Sequence, residues 1–435
     1  MAQDVGFFAI FFAAARFVDV TGESTDVFGE SGEPIGPLGG VLVVDISRVL
    51  SGPYAAMLLG DMGARVIKVE RPDGGDDTRS WGPPFVGPEG AQESAYFLSA
   101  NRNKKSVVLD FKSSEDLAAL KDLIKRADVL IENFRLGVLD RLGIGHAVLM
   151  ELNPRLVILS ITGFGHSGPE KDRPGYDQII QGESGLMSFT GPDKDTPTKV
   201  GVPIADILTG IFGALGVTSA LFERGRTGLG QVVRTSLLAS AIAIHTYQGT
   251  RWLTANEIPV AEGNLHPTVS PYGSFRCSDG FIQIAVGNDS LWRKFAKIVD
   301  VDPDDKRFVS NPARVANRKL LAELIEESFS KGSVSEWIKK ISDLGVPAGE
   351  VRSLDKVYQD PQVAAEKMII ETMHATLGKI KLPGNPLQFD RGRLDHNAPP
   401  TLGEHSALIR RWLEDTAETG SGSEGHGNLG GHLSG

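Results

Sequence analysis

From residue 40 onward the chain carries two hydrophobic periods. Short apolar runs, VLVVDIS (41–47), RVIKVE (65–70), SVVLDF (106–111), DVLIENF (128–134) and LVILSITGFG (156–165), read as buried strands. Helical stretches lie between them. SGPYAAMLLGDMG offers Ser51 as an N-cap, Pro53 at the start of the helix and Gly63 near its end. Residues 114–126 are rich in Leu, Ala and Lys. Strands alternating with helices predict a parallel sheet with right-handed crossovers.

A longer helix is predicted from Asp206 to about residue 224, with Ile207, Leu208, Ile211, Phe212, Leu215 and Leu221 near helical period. RGRTGLGQVV ends it and leads to a strand, and SLLASAIAIHTYQGTRWL reads as another helix. Around 263–287 the turn signals and β-formers predict a hairpin, with helices following at 290–299 and 317–345. This second region reads as a separate α+β domain. Residues 1–38 form an extension, either flexible or docked on the body. Its GFFAIFFAAA run lacks the basic start of a signal peptide and is too short to span a bilayer. The Gly/Ser-rich residues 416–435 read as a disordered tail.

Charge narrows the ligand classes. Asp and Glu number 55 against 45 Lys and Arg, a net charge of −10. That balance argues against non-specific nucleic-acid or anionic-membrane binding, so an anionic ligand needs a local basic cluster. The single cysteine, Cys277, rules out a disulfide within the chain and fits a reducing, cytoplasmic setting.

The β-α-β stretch 41–70 ends on Glu70, a Rossmann outline without the G-x-G-x-x-G fingerprint. Lys68 and Arg71 beside it suit a phosphate better than a ribose diol; the plain alternative is a pair of solvated surface charges. NRNKKS (101–106) precedes a strand and Lys112 follows it, at the carboxyl end where open α/β sheets bind ligands. ENFRLG (132–137) ends another strand with an amide, an aromatic ring and an arginine, which suits a base and its phosphates. Asp206, in GVPIADILTG, is by residue type an N-cap first. An ionised carboxylate stripped of water is also a nucleophile.

Taken in order, GPLGGVLVVDISRVLSGPYAAMLLGDMGARVIKVERPDGGDDTR, YFLSANRNKKSVVLDFK, ADVLIENFRLGVLDRLG, PRLVILSITGFG, GVPIADILTG and PPTLGEHSALIRRWL resemble the family III (CaiB/BaiF) CoA-transferases. That group contains the formyl-CoA:oxalate and carnitine CoA-transferases, and the resemblance runs from about residue 38 to about 415. GDDTRSWGPPF and KIKLPGNP look most like the succinate–hydroxymethylglutarate type. The resemblance implies a Rossmann-like large domain, a smaller domain and an interlocked homodimer. The large domain would span 39–225 and be completed by about 385–415. A linker helix at 226–262, a small α+β domain at 263–350 and a return linker at 351–384 would follow.

The resemblance also implies a site. The family's catalytic aspartate falls on Asp206, with CoA or acyl-CoA as substrate, a small carboxylic acid as acceptor, and no metal or permanent cofactor. CoA binding falls on Arg48, Leu50, Ser51, Arg71, Leu109, Lys112, Asn133, Phe134, Arg135, Arg141, Gly175 and Tyr176. The arginines and Lys112 would serve the phosphates, and Phe134 would pack near the adenine. The oxalate enzyme's mobile glycine-rich loop is replaced by GNLHPTVSPYG, where His266 is a candidate for orienting a substrate carboxylate. Arg102 and Arg173 are further carboxylate candidates.

The rival enzyme is an α-methylacyl-CoA racemase, which shares the aspartate but pairs it with a His-Asp dipeptide. Tyr176-Asp177 stands there instead, and a tyrosine near pKa 10 is a poor base at neutral pH. An NAD-dependent oxidoreductase lacks its glycine fingerprint. A binding module without catalysis would tolerate the loss of Asp206.

Overall fold

The computed structural model describes residues 36–391 and 396–420. The proposed extension and most of the proposed tail therefore lie outside the described residues. The described chain divides into two units. The first holds the described residues up to Thr162, then Thr209–Thr235, then the described part of Ile370–Gly435; the second holds Gly163–Leu208 and Ser236–Ile369. Gly163–Leu208 thus groups with the second unit, although the sequence boundary at 225 assigns it to the large domain.

The first unit is built on a six-stranded parallel sheet. Its strands are β1 (Leu42–Asp45), β2 (Arg65–Glu70), β3 (Lys104–Val108), β4 (Val129–Glu132), β5 (Val157–Thr162) and β6 (Val232–Ser236). Their spatial order is β3-β2-β1-β4-β5-β6, the dinucleotide-fold order that reverses between β1 and β4. Every residue of β1, β4 and β5 is buried, as a sheet covered on both faces requires. This is why these segments appear in sequence as mostly apolar runs.

One face packs Val44, Ile67, Val107 and Leu130 against Leu120 and Leu123 of helix Ser114–Arg126, together with Ile409 and Leu413 of helix Ser406–Gly420. The C-terminal segment is tied in by polar contacts as well: Arg410 donates to the Val108 carbonyl at 3.1 Å and to Asp116 at 2.7 Å. Helix α1 (Ser51–Asp61) follows β1. Leu50, not Ser51, holds the N-cap position and supplies no side-chain cap. Gly52 is closely packed: a Cβ there would lie 2.3 Å from Ser47 Oγ, so a larger residue would force a shift.

The long helix α2 runs Ile204–Thr227. By length and hydropathy it would suffice to cross a membrane. Ala214, Val217 and Ala220 are nevertheless buried, and a Cβ on Gly213 would meet Leu159 at 2.8 Å, so one face is core.

The second unit carries an antiparallel sheet of β7 (Tyr272–Arg276), β8 (Phe281–Ala285) and β9 (Ala348–Glu350), in the order β9-β8-β7. The expected hairpin is β7–β8, closed by a turn in which Cys277 N–H donates to the Gly280 carbonyl. Phe275, Ile282 and Ile284 pack against Trp292, Phe295, Phe329 and Trp337. The helix expected over 317–345 is two helices, Arg318–Phe329 and Val334–Ser342, because Ser333 and Glu336 form a reciprocal capping box that starts the second.

Candidate functional site

The sheet reverses its order between β1 and β4, so their carboxyl ends diverge and leave the crevice where α/β sheets take ligands. In the turn after β1, Asp45 accepts from the Ser47 N–H at 3.0 Å and from the Ser47 hydroxyl. Arg48 N–H donates to Asn133 Oδ1 at 2.9 Å, and Asn133 Nδ2 donates back to the Arg48 carbonyl at 2.7 Å. Asn133 thus clamps the end of β4 to the end of β1. Val49, a β-branched residue, sits at φ 71°, a strained conformation that surrounding contacts must hold. One of these is its N–H bond to Asp76 Oδ1 at 3.3 Å. The Arg48 guanidinium lies 5.3 Å over the Phe134 ring, which tilts against Phe111. An arginine over an aromatic plane is suited to a base flanked by phosphate.

Beneath this turn lies a buried ion network. Asp45 accepts from Lys104 at 3.0 Å and faces Lys68 at 3.9 Å; Lys68 pairs with Asp76 at 2.9 Å and donates to the Ser47 carbonyl at 3.1 Å. Burial alone would depress Lys68, but Asp76, Asp45 and Glu70 outweigh it and push the ammonium up to about 12. Burial and the neighbouring Lys68 bring Lys104 down to about 8 against the pull of Asp45. Burial would raise Asp76; Lys68 and the Thr78 N–H overcome it and hold the carboxyl at about 2. Two ammoniums and two carboxylates compensate each other, which a buried set must do.

Several sequence candidates are corrected by these contacts. Lys68 is sealed inside the network and does not reach a ligand. Glu70, at the end of β2, is bidentate with Arg79 at 2.8 and 2.7 Å. Arg102 is buried and bidentate with Asp61, and this removes it as a carboxylate receptor. Arg173 is exposed but engaged by Glu183 at 2.5 Å and by Glu170 at 3.4 Å. Leu109 is a core residue whose N–H donates to the Glu70 carbonyl.

The remaining candidates in the first unit are distributed around the crevice. Leu50 and Ser51 are buried at the start of α1. Arg71 is half-exposed and pairs with Asp77 at 2.6 Å. Lys112, Arg135 and Arg141 are exposed. Among the described residues, no carboxylate ion pair engages Arg48, Lys112, Arg135 or Arg141.

The second unit holds Asp206, Gly175 and Tyr176. Asp206 is 7% exposed and lies in the first turn of α2, two residues inside its start and not at the N-cap. The positive end of the helix favours an anion there. Gly175 packs on Gly163: a Cβ would come within 2.9 Å of the Gly163 Cα, so this glycine is fixed by backbone approach. Tyr176 is 61% exposed and precedes the helix Asp177–Glu183. Asp177 Oδ1 accepts the Ala205 N–H at 2.8 Å and the Asp206 N–H at 3.4 Å, so a distant carboxylate caps the start of α2. In the loop that replaces the glycine-rich one, His266 Nδ1 accepts from the Thr268 and Val269 N–H groups, each at 3.2 Å. A neutral ring therefore carries its proton on Nε2. The ring stacks on Tyr272 with centroids 4.8 Å apart.

Sequence reasoning missed the role of Asp177, the Asp45–Lys104 pair and the strain at Val49. The first two join residues 28 and 59 positions apart, and no local pattern announces such pairs.

Comparison with known proteins places the chain in a family. The profile described as CoA-transferase family III matches residues 38–406. A human protein named succinyl-CoA:glutarate CoA-transferase is 37% identical over 378 residues, covering 86% of this chain and 85% of that one. The succinate–glutarate CoA-transferase of Agrobacterium fabrum is 40% identical over 390 residues, covering 88% and 97%. Among solved structures, a CaiB/BaiF family protein from Brucella suis superposes with a TM-score of 0.80 at 40% identity, covering 87% of this chain and all of that one.

Proposed function

The chain belongs to CoA-transferase family III and is an enzyme that moves coenzyme A between acids; from that premise we propose that it takes CoA from succinyl-CoA and gives it to a dicarboxylate of glutarate type, through covalent intermediates on Asp206. The names of its relatives support the substrate pair. The observation that carries the chemistry is Asp206, a largely buried carboxylate in the first turn of α2.

An Asp206 carboxylate oxygen attacks the succinyl-CoA thioester carbonyl, forming an aspartyl–succinyl anhydride and expelling CoA thiolate. The thiolate attacks the aspartyl carbonyl, forming an aspartyl-CoA thioester and releasing succinate. The acceptor carboxylate then attacks that thioester, which gives a second anhydride and thiolate again. Attack of the thiolate on the acceptor acyl carbon yields the new acyl-CoA and restores the Asp206 carboxylate. No water is consumed, so the thioester energy is conserved provided that water is kept from the intermediates.

Arg48, Lys112, Arg135 and Arg141 are proposed to hold the phosphates, and the Arg48–Phe134 pair the adenine. His266 Nε2–H is a proposed donor to the acceptor's carboxylate. A second copy of the chain is proposed to cover α2: Ile211, Leu215 and Phe222 are 43%, 60% and 75% exposed and fall within about a 40° arc of the helix at 3.6 residues per turn. Such a stripe beside a buried opposite face is what an oligomer would bury.

The test is incubation with succinyl-CoA and a panel of carboxylic acids, following new thioesters by mass spectrometry, with hydroxylamine trapping. New thioester and a hydroxamate at Asp206 are expected, and Asp206→Ala is expected to lower turnover by at least about 10⁴-fold, as loss of a covalent nucleophile does. Absence of any new thioester, together with α-proton exchange in an α-methylacyl-CoA, would overturn the reading.

A further inference from the structure

Resting on Asp206 as the nucleophile, we infer that Asp177 and Gln181 are its positioning residues: they hold the start of α2 from outside, so that Asp206 changes from carboxylate to acyl group without loosening its helix. Asp177 Oδ1 accepts the N–H groups of Ala205 and Asp206, at 2.8 and 3.4 Å. Its Oδ2 accepts from Gln181 Nε2 at 2.7 Å, and Gln181 Oε1 accepts the Val200 N–H at 2.8 Å. Gln181 is fully buried, as is Ala205. Asp177 and Gln181 are one turn apart on helix Asp177–Glu183, hence on one face. Between them they fasten both ends of the segment 200–206.

The chemistry explains why this cap comes from another element. In the proposed cycle the Asp206 carboxyl group is acylated on oxygen, attacked twice at its carbon and finally released as the carboxylate, passing from anion to anhydride to thioester, back to anhydride and to anion. A helix that relied on its own first-turn aspartate for its orphan N–H groups would lose that acceptor at each acylation. Asp177 takes no part in the covalent steps and remains an acceptor throughout. The Asp206 backbone N–H it holds is three bonds from the reacting carboxyl carbon. Reactivity falls steeply when attacking atoms are misplaced by about 1 Å, so the cap fixes the angle at which Asp206 meets the thioester.

The donor and acceptor pattern dictates the test. In Asp177→Asn, Oδ1 still accepts the two backbone N–H groups, but Nδ2 now faces the Gln181 amide. Whichever way Gln181 turns, two donors meet, at Asn or at the Val200 N–H. Adding Gln181→Glu removes the conflict: the new amide donates to the new carboxylate, and the second carboxylate oxygen accepts from Val200. Asp177→Asn is expected to lower kcat about 100-fold, with KM for succinyl-CoA little changed and hydroxamate formation at Asp206 slowed in parallel. The double variant Asp177→Asn/Gln181→Glu is expected to recover most of that loss. A role in packing alone would change the melting temperature and the active fraction but not the kcat of titrated active sites.

The inference is overturned if Asp177→Asn, folded by circular dichroism, turns over like wild type, or if the folded double variant is no better than the single. Should Asp177→Asn not fold, the double variant alone decides: folded and active supports the cap, folded and inactive overturns it. Wild-type enzyme that yields no hydroxamate at Asp206 during turnover would remove the nucleophile assignment itself, a result separate from normal labelling with unchanged Asp177→Asn kinetics.

Discussion

At the scale of single residues, local chemistry follows from burial and neighbours more than from residue type. Cys277 is buried beside the β7–β8 turn; burial first, and then the Asp279 and Glu326 carboxylates, push its thiol up to about 11. A thiol at that value is almost wholly protonated at neutral pH and unreactive. A thiol reagent at pH 7.5 is therefore expected to leave the native protein unmodified and to titrate one group in denaturant. Asn133 illustrates the same point for an amide. Its two bonds satisfy the backbone of Arg48 across the crevice. Asn133→Ala removes both of these part-buried bonds, each contributing about 0.5–1.5 kcal/mol. The expected outcome is a lower melting temperature and a raised KM for acyl-CoA, since the strained Val49 turn loses its tie.

At the scale of elements, the first strand–helix turn and the long helix are governed by close approach. Gly52 stacks on Ser47 so tightly that a Cβ would sit 2.4 Å from the Ser47 Cβ, and Asp45 holds Ser47 in place. Gly52→Ala is expected to destabilise the protein by about 1–3 kcal/mol, the usual cost of overpacking, measured by denaturant unfolding. Gly210 lets α2 approach α1: a Cβ there would meet the Ser51 carbonyl and Tyr54 Cδ1, each at 2.9 Å. The opposite side of α2, with Leu215 and Phe222, is apolar and exposed. If a second copy covers it, Leu215→Asp/Phe222→Asp shifts the mass in light scattering from dimer to monomer. An unchanged mass would remove that proposal.

At the scale of the whole molecule, the buried carboxylates set the response to acid. Burial would raise Asp45, Asp61, Glu70 and Asp76, yet in each case cationic and hydrogen-bonding partners outweigh it and hold the group below its usual range. A carboxyl whose folded value lies below its unfolded value adds stability above the unfolded value and loses it as pH falls towards the folded one. For Asp76, falling from 3.8 to about 2, the contribution is on the order of 2 kcal/mol. Unfolding free energy is therefore expected to be level above pH 5 and to fall steeply between about pH 4 and pH 2. Asp76→Asn is expected to be less stable at pH 7 and to show a shallower acid limb. An equally steep limb in the variant would show that the network does not govern acid stability.

The strand runs at 41–47, 65–70, 128–134 and 156–165 were legible in the sequence because strands covered on both faces are dominated by apolar residues. Their alternation with helices, and the motif carrying Asp206, were legible for the same reason: each is local. Strand bounds shifted only slightly, as at Lys104–Val108. What sequence alone determined is thus the class of fold, the family and the residue proposed as nucleophile. It did not determine which charges are available to a ligand. Lys68 and Arg102 resemble Arg48 and Lys112 in residue type and in position near strand ends. The folded chain places the first two against Asp76 and Asp61, and among the described residues no carboxylate ion pair engages the other two. Arg102 and Asp61 lie 41 positions apart, and Asp177 reaches Ala205 across 28. Ion pairs and tertiary caps depend on separations of a few ångströms in space, which periodicity along a chain does not encode. Only the tertiary structure therefore decided which charged residues are sealed in pairs and which remain exposed to solvent.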